Sequence, residues 1–121
     1  MADFTEGRHP AEFIVSEANG RRSRDTVTVA SGADLEPNTV VGKVTASGKV
    51  VQLAPAAVDG SEVAYGVLIH AAKAASADVT VTAIVRDAEA AENLLVWPDG
   101  ISGPEKTAAR GELETRGIVT R

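Results

Sequence analysis

The alternation of apolar and polar residues from Val79 to Arg86 constrains the fold of this chain more than any other feature. The run reads Val-Thr-Val-Thr-Ala-Ile-Val-Arg, and successive side chains of a β-strand point to opposite faces of its sheet. One face of this strand is therefore expected to pack in a core. Four further strands are predicted from similar patterns and from the turn residues between them; they cover residues 26–30, 39–45, 50–53 and 63–71.

Glycines and short polar connections predict how these strands are joined. Ser47-Gly48-Lys49 is a tight connection, so the strands on either side of it should form a hairpin. Gly66 lies inside a predicted strand, where glycine marks a bulge or the close approach of another backbone. Residues 87–92 are polar and helix-tolerant, and we expect one short helical turn there.

One longer helix is predicted near the end of the chain. Ser102 and Glu105 have the spacing of a capping box, with a proline in the first turn. The helix should run to about Arg116 and stop at Gly117. The β-branched tail, residues 118–120, is suited to pairing at a sheet edge. The predicted fold class is α+β and predominantly β, a compact domain with a flexible N-terminal arm and a short C-terminal helix.

Aliphatic residues dominate a chain that has very few aromatic ones. Of its 121 residues, 44% are hydrophobic and 3% are aromatic. A chain of this length fits one domain and buries only about two-thirds of the surface that its unfolded state exposes. The core is therefore thin, and association with other subunits would add apolar burial that the monomer lacks. We divide the chain into an N-terminal arm, residues 1–25, and a β-rich domain, residues 26–121.

Net charge and cysteine content argue against several classes of partner. The formal net charge is -5, so phosphate backbones are not attracted, and few aromatic side chains are available to stack on single-stranded bases. The chain has no cysteine, which suits assembly in a reducing cytoplasm. No apolar run is long enough to span a bilayer, and the N-terminus lacks the pattern of a signal peptide. We expect neither nucleic acid nor membrane as a partner.

The arm carries one short apolar run in an otherwise polar segment. Phe13-Ile14-Val15 is that run, and its neighbours offer no second apolar face. Such a segment cannot bury enough surface to fold alone and is expected to order on contact. We favour docking of this run as a strand added to a partner's sheet edge, ahead of packing on its own domain. The basic cluster Arg21–Arg24 either touches an acidic protein surface or keeps the arm in solution, and we favour the second.

No arrangement in the sequence indicates catalysis or metal binding. Ser61 lacks a nucleophile-elbow motif, and His70 lies in an apolar strand, where a structural role outweighs a catalytic one by roughly nine to one. His9 lies in the arm, without a scaffold to hold a reacting geometry. The carboxylates beside turns and strand ends are interpreted as solvated caps: Asp59, Asp78, Asp87, Glu89 and Glu92. We predict no enzymatic activity, no cofactor, and no catalytic or metal-binding residues.

Trp97 is the only tryptophan, at the end of an apolar run that begins at Leu94. A residue of this size is more often a buried anchor than a platform for a ligand. It should make the largest single contribution to the core or to an interface between subunits.

The order and spacing of several motifs resemble those of the head decoration proteins of phage lambda and its relatives. In the domain these motifs are Asp59-Gly60, Gly66-Val67-Leu68, Thr80-Val81-Thr82 and Leu95-Val96-Trp97-Pro98. The arm is similar to the N-terminal signature of the wider tailed-phage decoration family, in the motifs His9–Glu17, Ser23-Arg24-Asp25 and Val27–Gly32. The resemblance covers nearly the entire chain from Arg8 onward. It departs from the phage lambda pattern at Val96, which stands between the leucine and the tryptophan.

The resemblance implies a structural protein of the virion with a β-clip fold, made in the host cytoplasm. Members of the family form trimers on the outside of the expanded capsid at threefold and quasi-threefold positions, where they clamp the major capsid protein against the pressure of packaged DNA. Their arm pairs with capsid strands. We assign to the capsid-binding arm Phe13, Ile14, Val15, Val27 and Val29. We assign to the core or trimer interface Leu68, Leu95, Trp97 and Pro98.

A small carbohydrate-binding or adhesive β-domain is the alternative interpretation. Such a domain would share the acidic, cysteine-free and oligomeric character of this chain. It would also present exposed aromatic rings to stack on sugars, and this sequence has almost none to spare. A glycan-binding screen would distinguish the two functions.

Overall fold

The computed structural model describes residues 9–121, and its regular structure is mostly β. The strands are β1 (Ile14–Glu17), β2 (Arg24–Val29), β3 (Ala33–Leu35), β4 (Val40–Lys43), β5 (Val50–Gln52), β6 (Ala64–Leu68), β7 (Ala72–Ala74), β8 (Val79–Ile84), β9 (Ala88–Ala90) and β10 (Ile118–Thr120). The described residues contain one α-helix, α1 (Gly103–Thr115), and one 3-10 turn, Glu92–Leu94. The predicted class, predominantly β with a short C-terminal helix, is confirmed.

Five strands close into a barrel in the order β2-β5-β4-β6-β8, and β8 pairs back onto β2. The long antiparallel ladder between β2 and β8 runs from Arg24 opposite Ile84 to Val29 opposite Val79. The predicted hairpin is formed by β4 and β5, with Gly42 opposite Val51. Closure removes the free edges that an open sheet of this size would present.

Two apolar cores lie on opposite faces of the barrel strands. The first is covered by α1 and by the sheet formed by β1, β9 and β10. It contains Phe13, Val40, Val67, Ile84, Leu95, Leu113 and Ile118. The second contains Val27, Val29, Val41, Leu68, Ala83 and Val85. Neighbouring residues such as Val67 and Leu68 therefore enter different cores, because successive side chains point to opposite faces of a strand. The sequence predicted one buried face for β8, whereas both faces are buried where that strand ends.

Glycine allows close backbone contacts at two barrel positions. A Cβ on Gly66 would overlap the carbonyl oxygen of Ile84, and one on Gly42 would overlap the backbone of Ser61. Beside Gly66 the ladder between β4 and β6 also shifts register, which leaves Tyr65 as the extra residue of a bulge. Both features predicted for Gly66, a bulge and a close approach, are present.

Strands β1 and β10 flank β9 in a second sheet, with the order β1-β9-β10. Its central strand, β9, corrects the predicted helical turn at residues 87–92, because Ala88–Ala90 pair with strands on both sides. The weak helical preference of so short a segment does not compete with two ladders. The predicted helix and tail are confirmed: Ser102 and Glu105 form a reciprocal capping box at the start of α1, and Ile118–Thr120 pair with β9.

Candidate functional site

The segment that leads into β1 is fastened to the domain by one buried ring and by backbone hydrogen bonds. The side chain of Phe13 is completely buried in the first core. The Ala91 amide donates to the Phe13 carbonyl at 2.7 Å, and the Ala11 amide donates to the Ile69 carbonyl at 3.2 Å. Burial of one phenylalanine contributes about 1.5–3 kcal/mol by area, so this anchor holds the whole segment in place.

Strand β1 continues from this anchor along β9, with Ile14 opposite Ala90 and Glu17 opposite Ala88. The sequence favours docking of the run at residues 13–15 on a partner ahead of packing on its own domain, and the structure corrects that order. The run packs on its own domain because β9 provides a free ladder and the first core provides a site for the ring. Its assignment to capsid binding stays a prediction.

Two charged groups link β1 to neighbouring elements. Arg24 donates two hydrogen bonds of 2.8 Å to the carboxylate of Glu17, and this pairing holds the pKa of Glu17 below its usual value. Glu89 of β9 accepts hydrogen bonds from Arg121 at 2.8 Å and from Ser16 at 3.0 Å. These two bonds lower the pKa of Glu89, that of Arg121 having the larger effect. Glu89 thus joins β1 and Arg121 to β9, and Glu17 joins β1 to β2.

Asn38 makes a further polar contact with this segment. Its side-chain Nδ2 donates to Glu12 Oε1 at 2.6 Å, and its backbone amide donates to the Leu68 carbonyl at 2.8 Å. The residue is completely buried and has a positive φ of 73°, which asparagine tolerates better than most residues. Asn38 therefore ties residue 12 to the barrel, a role that the sequence did not reveal.

The outer edge of β1 is the part of this sheet available to another chain. Within residues 9–121, β1 pairs with β9 alone. Val15 projects from it with 55% of its side chain exposed, beside the exposed Ser16. An edge strand presents unpaired backbone groups that can accept an added strand. This edge is the candidate functional site.

The other predicted contact residues lie away from this edge. Val27 and Val29 are buried in the second core, so their side chains hold the barrel together. Leu68 and Leu95 are buried in the second and first cores, respectively. Trp97 is only partly buried, with Lys106 Nζ 5.5 Å from its ring centroid, and its neighbour Pro98 is also partly buried.

Sequence reasoning missed the strand that positions β1. The Ala-Glu-Ala pattern of β9 alternates between buried and half-buried residues, and the same alternation is visible in the sequence, although it is only three residues long. It missed Ser23 as well, whose buried hydroxyl accepts from the Ala18 amide at 2.9 Å and donates to the Asp87 carbonyl at 2.7 Å. No local pattern marks that serine, because its second partner is 64 residues away in the chain.

The polar residues considered for catalysis take structural positions. Asp59 accepts from both the amide and the hydroxyl of Ser61, and these hydrogen bonds lower its pKa. His70 is exposed just after β6. The described residues contain no group of three or more His, Cys, Asp or Glu side chains that could hold a metal ion. Helix α1 is too short and polar to cross a membrane, and the described residues contain no helix that could.

Comparison with known families decides the identity. The family model described as "Bacteriophage lambda head decoration protein D" matches residues 3–118, nearly the full length of the 121-residue chain. The chain belongs to the bacteriophage lambda head decoration protein D family. The resemblance drawn from the sequence motifs is thereby confirmed. A search of curated proteins finds no match.

Membership in the head decoration family gives this domain its place and its broad role. A phage head decoration protein sits on the capsid of the virion and is a structural component of it. The family is one of structural capsid proteins and is not known to have enzymatic activity.

Proposed function

We propose that this decoration protein binds the outside of the expanded capsid as a homotrimer, at threefold and quasi-threefold positions. Its partner is the major capsid protein, and it stabilises the shell against the pressure of packaged DNA. The free protein is made in the host cytoplasm and joins the shell afterwards. The observation that carries the proposal is the family match over residues 3–118, combined with the outer edge of β1, a strand that pairs with β9 alone among the described residues.

The capsid contact of this proposal is made at the edge of β1. A capsid strand paired with this edge would extend the sheet β1-β9-β10, with main-chain hydrogen bonds providing affinity and side-chain packing providing specificity. Val15 is the exposed apolar side chain on that edge. Phe13 supports the contact from inside the domain, since its buried ring fixes where β1 lies.

Stabilisation of the shell follows from multivalent binding. One trimer that contacts several capsid subunits makes the later contacts intramolecular, so that separating any subunit requires several contacts to break. Preference for the expanded shell is a linkage effect: a ligand that binds one state of the shell lowers the free energy of that state by its differential affinity.

No observation favours the carbohydrate-binding alternative. The ring of Tyr65 is covered by Lys43 Nζ at 5.0 Å and by Arg116 Cζ at 4.3 Å. Trp97 is partly buried, and the ammonium of Lys106 lies over its ring. A sugar would have to displace these cations before it could stack on either ring.

The proposal is tested by adding the purified protein to expanded capsids, measuring binding, and reconstructing the decorated particles. Wild-type protein should appear as three copies around each threefold and quasi-threefold position. Val15→Asp should lower the affinity for capsids about tenfold or more, because it places a charge in an apolar contact. Thr80→Asp, at an exposed position of β8, is the matched control and should bind as wild type. Particles without exterior density would refute the proposal.

A further inference from the structure

An asparagine or aspartate precedes glycine at three places in the chain, which are Asn19-Gly20, Asp59-Gly60 and Asp99-Gly100. In such a dipeptide the glycine amide nitrogen can attack the side-chain carbonyl carbon of the preceding residue, because glycine has no Cβ to block the approach. The attack closes a succinimide ring. The hydrogen bonds around each dipeptide decide where this reaction proceeds.

The two aspartate dipeptides are poorly suited to the reaction. The Asp59 carboxylate accepts hydrogen bonds from the amide and the hydroxyl of Ser61, and the Gly60 amide donates to Glu62 Oε2 at 2.8 Å. Both reacting groups would have to leave their partners before they could meet. An aspartate side chain is also ionised near neutral pH, and a carboxylate anion resists nucleophilic attack, which applies to Asp99 as well.

Asn19-Gly20 is free to react. Both residues are exposed at the tip of the connection between β1 and β2. Within residues 9–121, neither the Asn19 side chain nor the Gly20 amide has a hydrogen-bond partner. A Cβ placed on Gly20 would meet nothing within 4 Å. The asparagine side chain is a neutral amide, so its carbonyl carbon accepts a nucleophile more readily than that of a carboxylate.

The connection is tethered on both sides of this dipeptide but not at it. The Ala18 amide donates to Ser23 Oγ at 2.9 Å and to the Asp87 carbonyl at 3.2 Å. On the other side, the Arg24 amide donates to the Arg21 carbonyl at 3.1 Å. Exposed loop tips without hydrogen bonds open most easily, so Asn19 can reach the conformation in which its ring closes.

The other two asparagines lack this combination of features. Asn38 is completely buried, and its side chain donates to Glu12 at 2.6 Å. Asn93 is exposed but precedes Leu94, whose amide donates to the Ala91 carbonyl at 3.0 Å. These two residues therefore serve as internal controls.

We propose that Asn19 is a site of spontaneous deamidation. The Gly20 nitrogen forms a bond to Asn19 Cγ, the bond from Cγ to the side-chain nitrogen breaks, and that nitrogen leaves as ammonia with the proton of the Gly20 amide. Water then opens the succinimide at one of its two carbonyl carbons. The products are aspartate and isoaspartate, in which the main chain runs through the side chain. The reaction consumes one water and releases one ammonia, so it needs no oxidant, reductant or cofactor.

Deamidation would change the protein beside the proposed capsid contact. Both products add a negative charge two residues after Glu17, the last residue of β1. Isoaspartate also adds a backbone atom between the tether points Ala18 and Ser23. Deamidated protein should therefore bind capsids more weakly. This expectation rests on the proposed function, whereas the reaction itself does not.

The reaction is tested by incubating the purified full-length protein at pH 8, where an amide nitrogen loses its proton more readily than at pH 6. Peptide mapping by mass spectrometry follows each asparagine over time. The Asn19 peptide should gain about 1 Da and become a substrate for isoaspartyl methyltransferase, while the Asn38 and Asn93 peptides stay unchanged. Asn19→Gln should slow the change at this position about tenfold or more, because its side chain would have to close a larger ring.

The effect on binding is measured after anion exchange has separated the more negative, deamidated protein from the unmodified protein. The deamidated fraction should bind expanded capsids at least about threefold more weakly. A freshly prepared Asn19→Asp variant carries the charge without the added backbone atom, and unmodified protein incubated at pH 6 is the control for ageing. The three affinities separate the effect of charge from that of the longer connection.

The possible outcomes are distinguishable. If the Asn19 peptide gains no mass, or gains it no faster than the Asn93 peptide, the inference is wrong. If Asn19 deamidates and the deamidated fraction binds as unmodified protein does, the expected effect on binding is wrong. If fresh wild-type protein does not bind capsids, the proposed function fails, and the mass measurement still decides whether Asn19 is modified.

Discussion

Phe13 shows how a single residue changes role between the sequence and the folded domain. In the sequence it belongs to the only apolar run of a polar segment, which suggests a flexible anchor for a partner. In the fold its ring is fully buried, while Val15 two residues later is exposed. Phe13 therefore stabilises the domain, whereas Val15 is exposed and available for contact with another protein.

Phe13→Ala should destabilise the isolated domain by about 3–5 kcal/mol, the usual cost of truncating a buried phenylalanine. Chemical unfolding of the wild-type and variant proteins measures this difference. Val15→Ala, within the same strand, serves as the control and should change the free energy of unfolding by less than about 0.5 kcal/mol. Equal stability of the Phe13→Ala and wild-type proteins would show that the ring is not part of the core.

Trp97 differs from the buried anchor that its sequence context suggests, because it is only partly buried. Trp97→Ala should therefore cost about 2 kcal/mol, below the range of about 3–5 kcal/mol for a fully buried tryptophan. Leu95→Ala, at a buried position of the same run, should cost about 2–5 kcal/mol. Urea unfolding of both variants measures these two losses of unfolding free energy. A larger loss for Trp97→Ala than for Leu95→Ala would contradict the prediction.

At the scale of elements, the sheet β1-β9-β10 depends on charged side chains as much as on its short ladders. Its strands have three or four residues each, which is few for independent stability. Glu17 joins β1 to β2 through Arg24, and Glu89 joins β9 to Ser16 and Arg121. These links hold β1 and Arg121 on the domain.

Acid should weaken this sheet because the folded-state pKa values of Glu17 and Glu89 are lowered. A lowered pKa contributes stability that is present above the unfolded value, about 4.3 for glutamate, and is lost as the pH falls through the folded-state value. Between pH 6 and pH 3, the free energy of unfolding measured in urea should fall more for wild type than for the Glu17→Gln, Glu89→Gln double variant. Glu114→Gln, at an exposed helix position, should lose as much as wild type.

At the scale of the whole molecule, the small aliphatic residues are divided between two cores that share the barrel strands. The described residues bring few aromatic rings to these cores. Phe13 lies in the first core, Trp97 packs at its margin, and the partly buried Tyr65 packs against the second core. Such a domain leaves Val58 and Val63 outside. In the proposed homotrimer, association would add apolar burial that the monomer lacks.

The melting temperature of the free protein should therefore rise with protein concentration, since a partner subunit that binds only the folded state stabilises it by mass action. Scanning calorimetry over an about hundredfold range of concentration would measure the effect. Val15→Asp, on the β1 edge that the proposed function gives to the capsid, should keep the concentration dependence. A wild-type melting temperature independent of concentration would show that folding is not coupled to association.

The sequence by itself determined the features that depend on nearby residues. The alternation of β8, the hairpin around Gly48 and the capping box of Ser102 are set by side-chain period, turn chemistry and caps, which act over a few positions. The family could also be inferred from the order of motifs along the chain. The structure confirms the hairpin and the capping box, and the family match confirms the family, whereas β8 buries both faces at its end instead of the one predicted.

Only the tertiary structure decided where the N-terminal run lies and what surrounds it. Phe13 became a core residue because β9, more than 70 residues later in the chain, provides a ladder next to an apolar site. The adjacency of Lys43, Tyr65 and Arg116 likewise depends on contacts between two strands and the end of α1. Long-range pairing of this kind is selected by the burial and hydrogen bonding of the whole domain, and a local pattern of residue types does not record it.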